Sequence, residues 1–141
     1  MDQRHQVPYG VGGSREGAFG MSGQPAHIAP WISVRDATEA VEFYRRAFDA
    51  VESYRFESSP DTVEVAQLSF GGAGFWVSAD PDAAAPGPVR MIISVGDPDS
   101  LFQQVRAAGA TEVVAMNDAH GWHIGRLVDP FGHHWEIGRQ L

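Results

Sequence analysis

The chain has 141 residues, 43% of them hydrophobic and 20% charged, enough to bury about two-thirds of its unfolded surface without a disulfide or structural metal. It contains no cysteine, which excludes a disulfide framework, a thiolate zinc site and a thiolate nucleophile, and makes a reducing cytoplasm the natural compartment. With 18 acidic against 10 basic residues the net charge is −8, a field that repels phosphate backbones and anionic headgroups; no apolar run nears the roughly 20 residues that span a bilayer, so neither nucleic acid nor membrane is an expected partner.

Residues 1–26 hold six glycines and no periodic apolar pattern, and the first 20 lack the apolar stretch of a signal peptide. They read as a flexible tail. The globular part begins at His27. His27–Val34 is rich in β-formers, and Asp36 is placed to cap a helix over Ala37–Ala50. Along that helix Ala40, Val41, Phe43, Tyr44, Ala47 and Phe48 recur at three- and four-residue spacing, the signature of one apolar face. Val51–Glu57, Thr62–Phe70 and Gly74–Ala79 follow as strands, with turn signals at Ser58–Asp61 and Gly71–Gly74. Asp80–Pro88, with three prolines and three alanines, is a linker. Beyond it Val89–Val95 reads as a strand, Asp97-Pro98 opens a second helix that Gly109 closes, and strands are expected at Ala110–Met116, Trp122–Val128 and Gly132–Gly138.

The two halves share one order of elements, which calls for a test of internal repetition. A shift of 61 residues lays Ile32-Ser-Val-Arg-Asp36 on Ile93-Ser-Val-Gly-Asp97 with six identities over residues 32–49, and it also lays Phe70-Gly71 on Phe131-Gly132. The expected architecture is α+β: two βαβββ modules, residues 27–80 and 89–141, whose curved mixed half-sheets enclose a cleft within a single domain of residues 27–141.

Three stretches carry a resemblance: Trp31 to Phe48 with Phe43-Tyr44 toward its end, Val105-Arg-Ala-Ala-Gly-Ala110, and Gly125 to Ile137 with the Asp129-Pro-Phe-Gly132 turn before Trp135-Glu136. In these the chain resembles the vicinal oxygen chelate superfamily, which includes glyoxalase I, bleomycin-resistance proteins and extradiol dioxygenases, and looks most like its PhnB-like branch. The resemblance covers residues 27–141. It implies the glyoxalase/bleomycin-resistance/dioxygenase fold, a homodimer and a small-molecule ligand.

Metal-using members of that superfamily present ligands from the first and last strands of each module. Carried onto this chain, those positions are Ala29, Phe75, Arg90 and Glu136, the placement of Phe75 depending on the 61-residue shift. Of the four only Glu136 can bind a metal, because a guanidinium does not deprotonate. The usual metal site, and with it any cofactor, is therefore expected to be missing. Histidines offer an alternative: residues two apart on a strand share a face, so His134 with Glu136, joined by His27, would compose a two-His-one-carboxylate set for zinc, nickel, manganese or iron. His120 and His123 lie near Trp122, at the entrance of a neighbouring strand.

Without a metal, Arg90 and Glu136 would face each other as a charge pair able to orient a polar ligand, or serve as a buried structural pair. Trp31, Trp76, Phe75, Trp122, Trp135, Tyr54 and Phe56 supply more aromatic surface than a small core needs. By strand parity Trp31 shares the face of Ala29 and can stack on a planar ligand, whereas Trp135 points away from Glu136 and packs under the sheet. Ser33, Ser78 and Ser94 lack a nucleophile elbow or base partner, and Gly71–Gly74 lacks the helix and Lys of a phosphate loop. The expected cleft residues are Glu136, Arg90, Trp31, Phe75, Ala29 and Trp122. Two functions follow. The missing ligand positions and the charge of −8 favour a metal-independent protein that holds a small molecule in an aromatic, acidic cleft. The alternative is a lyase, isomerase or dioxygenase with a divalent metal at a rearranged site around Glu136.

Overall fold

The computed structural model describes residues 26–84, 87 and 89–141; the expected tail, up to residue 25, and parts of the linker lie outside the described residues. The element order is β1 (Trp31–Val34), α1 (Ala37–Phe48), β2 (Val51–Ser59), β3 (Thr62–Phe70), β4 (Ala73–Ala79), β5 (Met91–Ser94), α2 (Pro98–Ala108), β6 (Thr111–Ala119), β7 (Trp122–Val128) and β8 (His134–Gln140). These build two four-stranded sheets ordered β1-β4-β3-β2 and β5-β8-β7-β6. Both are mixed. β1 runs parallel to β4 and β5 parallel to β8, while the remaining pairs are antiparallel.

Local chemistry sets the ends of these elements. The Asp36 carboxylate accepts from the Glu39 backbone N–H at 3.0 Å, and Asp97 does the same for Ser100 at 3.2 Å, each satisfying an amide that the first helical turn leaves unpaired. α1 stops at Phe48 and not at Ala50 because Asp49 adopts a left-handed conformation, φ 56°. β1 begins at Trp31 and not at His27. Pro30 has no N–H to give the ladder, though its carbonyl accepts from the Trp76 backbone N–H at 2.8 Å. The two long outer strands are irregular: β2 slips register three times against β3, and β6 twice against β7.

The helices lie against one face of each sheet and against one another, so the two modules share a single core. Tyr44, Phe43 and Phe48 of α1, Phe102 of α2, and Leu68, Leu127 and Ile137 of the sheets are fully buried there. At the helix junction the Gln104 amide donates to the Ala47 carbonyl at 3.0 Å and to the Asp49 carboxylate at 3.1 Å. Among the described residues no helix covers the other face of either sheet, and large apolar side chains are exposed there, among them Trp31, Tyr54 and Phe56 on the first sheet and Ile92 on the second. No described helix is long and apolar enough to cross a membrane.

The internal repeat is real but its offset changes partway. α1 has 12 residues and α2 has 11, so the 61-residue offset that aligns the helix starts becomes 60 beyond them, where β2 begins at Val51 and β6 at Thr111. Register confirms the change, since core-facing Ile32 pairs with Val77 in the first module and core-facing Ile93 with Ile137 in the second. The counterpart of Glu136 is therefore Trp76. Phe75 corresponds to Trp135.

Candidate functional site

A buried carboxylate joins the modules. Asp129 accepts from the Tyr44 hydroxyl at 2.5 Å, the Trp135 indole N–H at 2.8 Å, and the backbone N–H groups of Phe131 and His133, both at 2.9 Å. This is the work of the Asp129–Gly132 turn: the Asp129 side chain closes the loop before β8 while gathering donors from α1 and β8. The loop also displaces the start of β8 from the expected Gly132 to His134, with Gly132 at φ 94°. His133 is buried and donates its ring N–H to the Ser33 carbonyl at 3.2 Å, a second tie to the first module. Trp135 packs under the sheet as its parity predicts, its ring centroid 4.7 Å from that of Phe48 and 5.7 Å from that of Tyr44.

Phe75 is a correction. It is 6% exposed and points into the core, where its ring meets Tyr44 at 5.3 Å and Trp135 at 5.5 Å. The one-residue change of offset is the reason, and Trp76 takes the place on the open face.

The open face of the first sheet is an aromatic surface. Trp31 and Trp76 are paired across the parallel strands, their rings 5.8 Å apart and 22° from coplanar, and Tyr54 meets Trp76 edge-on at 5.8 Å. The Trp31 indole donates to the Ser78 hydroxyl at 2.9 Å, which fixes the ring while leaving Trp31 57% exposed. Ala29 is half-buried just ahead of β1, and His27 is exposed.

The open face of the second sheet is charged. The Arg90 Nε lies 2.5 Å from the Glu136 Oε2; the arginine side chain is half exposed and the glutamate is 17% exposed. Register places Arg126 of β7 directly opposite Glu136, and His134 opposite Val128. Arg126 shares with Glu136 a cavity of about 250 Å³, lined also by Val114, Asn117, Ala119 and Ile124. Trp122 stands on the same face at the start of β7, opposite Gln140. Sequence reasoning missed Arg126. Alternation along Trp122, Ile124 and Arg126 was the available signal, but it points to Glu136 only once the β7–β8 register is known. Around Glu136 two guanidiniums, Arg90 and Arg126, stand beside one carboxylate, whereas the cavity that Trp31 lines on the first sheet holds Asp80 and Asp82. Expected cleft residues thus divide between two sheets, Trp31 on the first and Arg90, Glu136 and Trp122 on the second.

The donor set does not fit a chelated metal. The positions equivalent to the expected ligands are Ala29, Trp76, Arg90 and Glu136, and only the last is a ligand type. Its carboxylate is held by Arg90. Among the described residues no three His, Asp or Glu side chains come together as a possible cation site, so His27, His134 and Glu136 do not form the alternative set. His123 is engaged elsewhere, its Nδ1 2.7 Å from Asp118 and its Nε2 3.0 Å from Asp99.

The glyoxalase-like domain family matches residues 31–138. The chain belongs to this family. An uncharacterized protein of Mycobacterium bovis is 35% identical to it over 130 residues, 84% of this chain and 85% of the relative. Among solved structures, TioX from Micromonospora sp. ML1 is 28% identical with a TM-score of 0.68, covering 82% of this chain and 99% of TioX. A mutant of the fosfomycin resistance protein FosX from Listeria monocytogenes, complexed with Mn(II) and 1S,2S-dihydroxypropylphosphonic acid, has a TM-score of 0.67 at 14% identity, over 82% of this chain and 92% of FosX. That likeness is one of fold: glyoxalase-like domains of shared architecture host unrelated chemistries.

Proposed function

We propose that this glyoxalase-like protein binds a small molecule without a metal, in the manner of the bleomycin-resistance proteins it resembles, and that it works as a cytoplasmic homodimer in which a second copy closes the open sheet faces into a cleft. One observation carries the reading: at the position where a chelating relative would offer a free carboxylate, Glu136 is already held by the Arg90 guanidinium. The exposed Trp31, Tyr54 and Phe56 of the first sheet and Ile92 of the second support closure by a second copy, since large apolar side chains left exposed on open sheet faces are contact surface for ligand or partner. The absence of cysteine in the sequence supports the compartment. Within the family, the Phe43-Tyr44 pair and the Asp129–Gly132 turn support a place beside PhnB-like proteins.

Elemental mass spectrometry of untagged protein, incubated with nickel, zinc, manganese or ferrous iron, tests the reading. The expected result is no stoichiometric metal, with ligand binding by tryptophan quenching intact in chelator. Near-stoichiometric metal that disappears in Glu136→Ala would overturn it and make a divalent-metal lyase, isomerase or dioxygenase the function.

A further inference from the structure

Among the described residues, two buried side-chain nitrogens have no hydrogen-bond partner: Nε of Arg126 and Nδ1 of His134. Both belong to the open face of the second sheet and both flank Glu136, Arg126 as its neighbour across β7 and β8 and His134 two residues ahead on β8. A buried donor left without an acceptor costs free energy, most of all when the group is charged. Glu136 does not satisfy Arg126. Its carboxylate turns to Arg90, and among the described residues no carboxylate forms an ion pair with Arg126.

The charges then sum simply. Arg90 and Glu136 cancel, and Arg126 leaves one positive charge at the cavity of about 250 Å³. A guanidinium is a planar fork of donors that stays protonated and matches the two oxygens of a carboxylate or phosphonate. Around it Val114, Ala119 and Ile124 offer apolar wall. The Asn117 amide N–H₂ is spent on the Ala115 and Ile124 carbonyls, at 2.8 and 3.2 Å, and so does not compete for the anion.

We infer that Arg126 anchors the oxyanion of an amphiphilic small ligand, a carboxylate or phosphonate whose apolar part lies over Val114 and Ile124. The inference rests on the metal-independent binding proposed above and names the charge of the ligand. Arg90 acts as a positioning residue, holding Glu136 away from the anion and cancelling its repulsion.

The test uses four probes of one shape on chelator-treated full-length protein: benzoate, phenylphosphonate, neutral benzamide and cationic benzylamine, titrated by ¹H–¹⁵N NMR. The expected result is that at least one anion shifts the Arg126 Nε–Hε resonance and slows its exchange with water, with benzamide and benzylamine about tenfold weaker or worse, as the loss of a charge-assisted hydrogen bond implies. Whichever of the two anions binds more tightly gives the source of the oxyanion. Arg126→Gln is expected to weaken anion binding about tenfold with the association state unchanged, and Arg126→Lys, which keeps the charge and loses the fork, to fall between. Glu136→Gln carries the decisive sign: removing a negative charge beside the anion must tighten binding severalfold. Equal affinity for benzoate and benzamide, an Arg126→Gln protein that binds anions normally or changes its association state, or weaker anion binding in Glu136→Gln would each overturn the inference. If benzamide or benzylamine binds in chelator irrespective of Arg126, metal-independent binding stands and the anion anchor falls. If every probe requires added metal, the proposed function itself falls.

Discussion

Tyr44 and Asp129, 85 positions apart, meet at 2.5 Å in the centre of the molecule, the hydroxyl of the first helix donating to the carboxylate that closes the turn before the last strand. Each end serves two purposes. Tyr44 is also stacked on Phe48 and set edge-on to Phe43 and Phe75, and Asp129 also holds its own loop and the Trp135 indole.

Removing the acceptor is expected to cost far more than removing one donor. Tyr44→Phe leaves Asp129 three donors and should lower stability by about 1–3 kcal/mol. Asp129→Ala strands four donors in the core and should cost more than about 3 kcal/mol or prevent folding. Urea denaturation measures both, and equal losses would show that the carboxylate is not the hub of this network.

The same hydroxyl has an alkaline signature. Burial first, and the negative charge of Asp129 second, push the Tyr44 pKa well above the ordinary 10.0. An acid whose pKa is raised on folding contributes its full stability below the unfolded value and loses it as the pH rises above that value. The urea midpoint of the native protein should therefore fall above pH ~10, and the Tyr44→Phe midpoint should fall less over the same range. Parallel curves would assign the alkaline loss to other groups.

His123 gives the opposite end of the pH range. It stands at the surface between Asp99 of α2 and Asp118 of β6, and these carboxylates, Asp99 foremost, raise its pKa above 6.5. The imidazolium stabilises the fold below that value, and the contribution is lost as the pH rises through the raised one. The expected observation is a urea midpoint that declines from pH 6 to 8 at low salt, flattens in His123→Gln, and weakens at high ionic strength. An NMR titration of His123 in Asp99→Asn should show its pKa lowered.

Arg90 should matter little to folding. Its side chain is half exposed, and pairs of this kind contribute about 0–1 kcal/mol. Arg90→Ala is expected to leave thermal stability within that range while changing the affinity for charged probes. A loss of several kcal/mol would mark the pair as structural.

Gly138 is a packing test independent of charge. A Cβ there would lie 2.8 Å from the His123 carbonyl oxygen and 2.9 Å from the Ile124 Cβ, and neither is the free end of a flexible chain. Gly138→Ala is expected to destabilise by about 1–3 kcal/mol as β7 and β8 are forced apart. Thermal denaturation reads it, and an unchanged midpoint would mean the strands separate without strain.

Much of the fold was legible because it is written locally. Capping acids at Asp36 and Asp97, the apolar spacing of α1 and the Asp97-Pro98 start each specify a boundary from a few neighbouring residues, and strand parity sufficed to send Trp135 under the sheet. Phe75 was misplaced because the register relates β4 to β8 by 60 residues and not 61, and in a strand of period two a slip of one residue turns a side chain to the other face. The four donors on Asp129 and the pairing of Arg126 with Glu136 depend on register between distant strands. Sequence shows Asp129-Pro-Phe-Gly132 only as a turn, and Arg126 only as one more charged residue in a strand.

The register breaks in β2 and β6 have a colloidal consequence. Each is a nine-residue strand at the border of its sheet, the length and position at which a foreign chain could dock and extend the ladder. Broken spacing denies such a chain a straight row of partners, and the opposite borders, β1 and β5, have four residues each. Sideways growth toward fibrils is thereby discouraged at every border. The exposed Trp31 and Ile92 lie on the broad faces of the sheets, where a partner or ligand can cover them, apart from the rims where strand addition is templated.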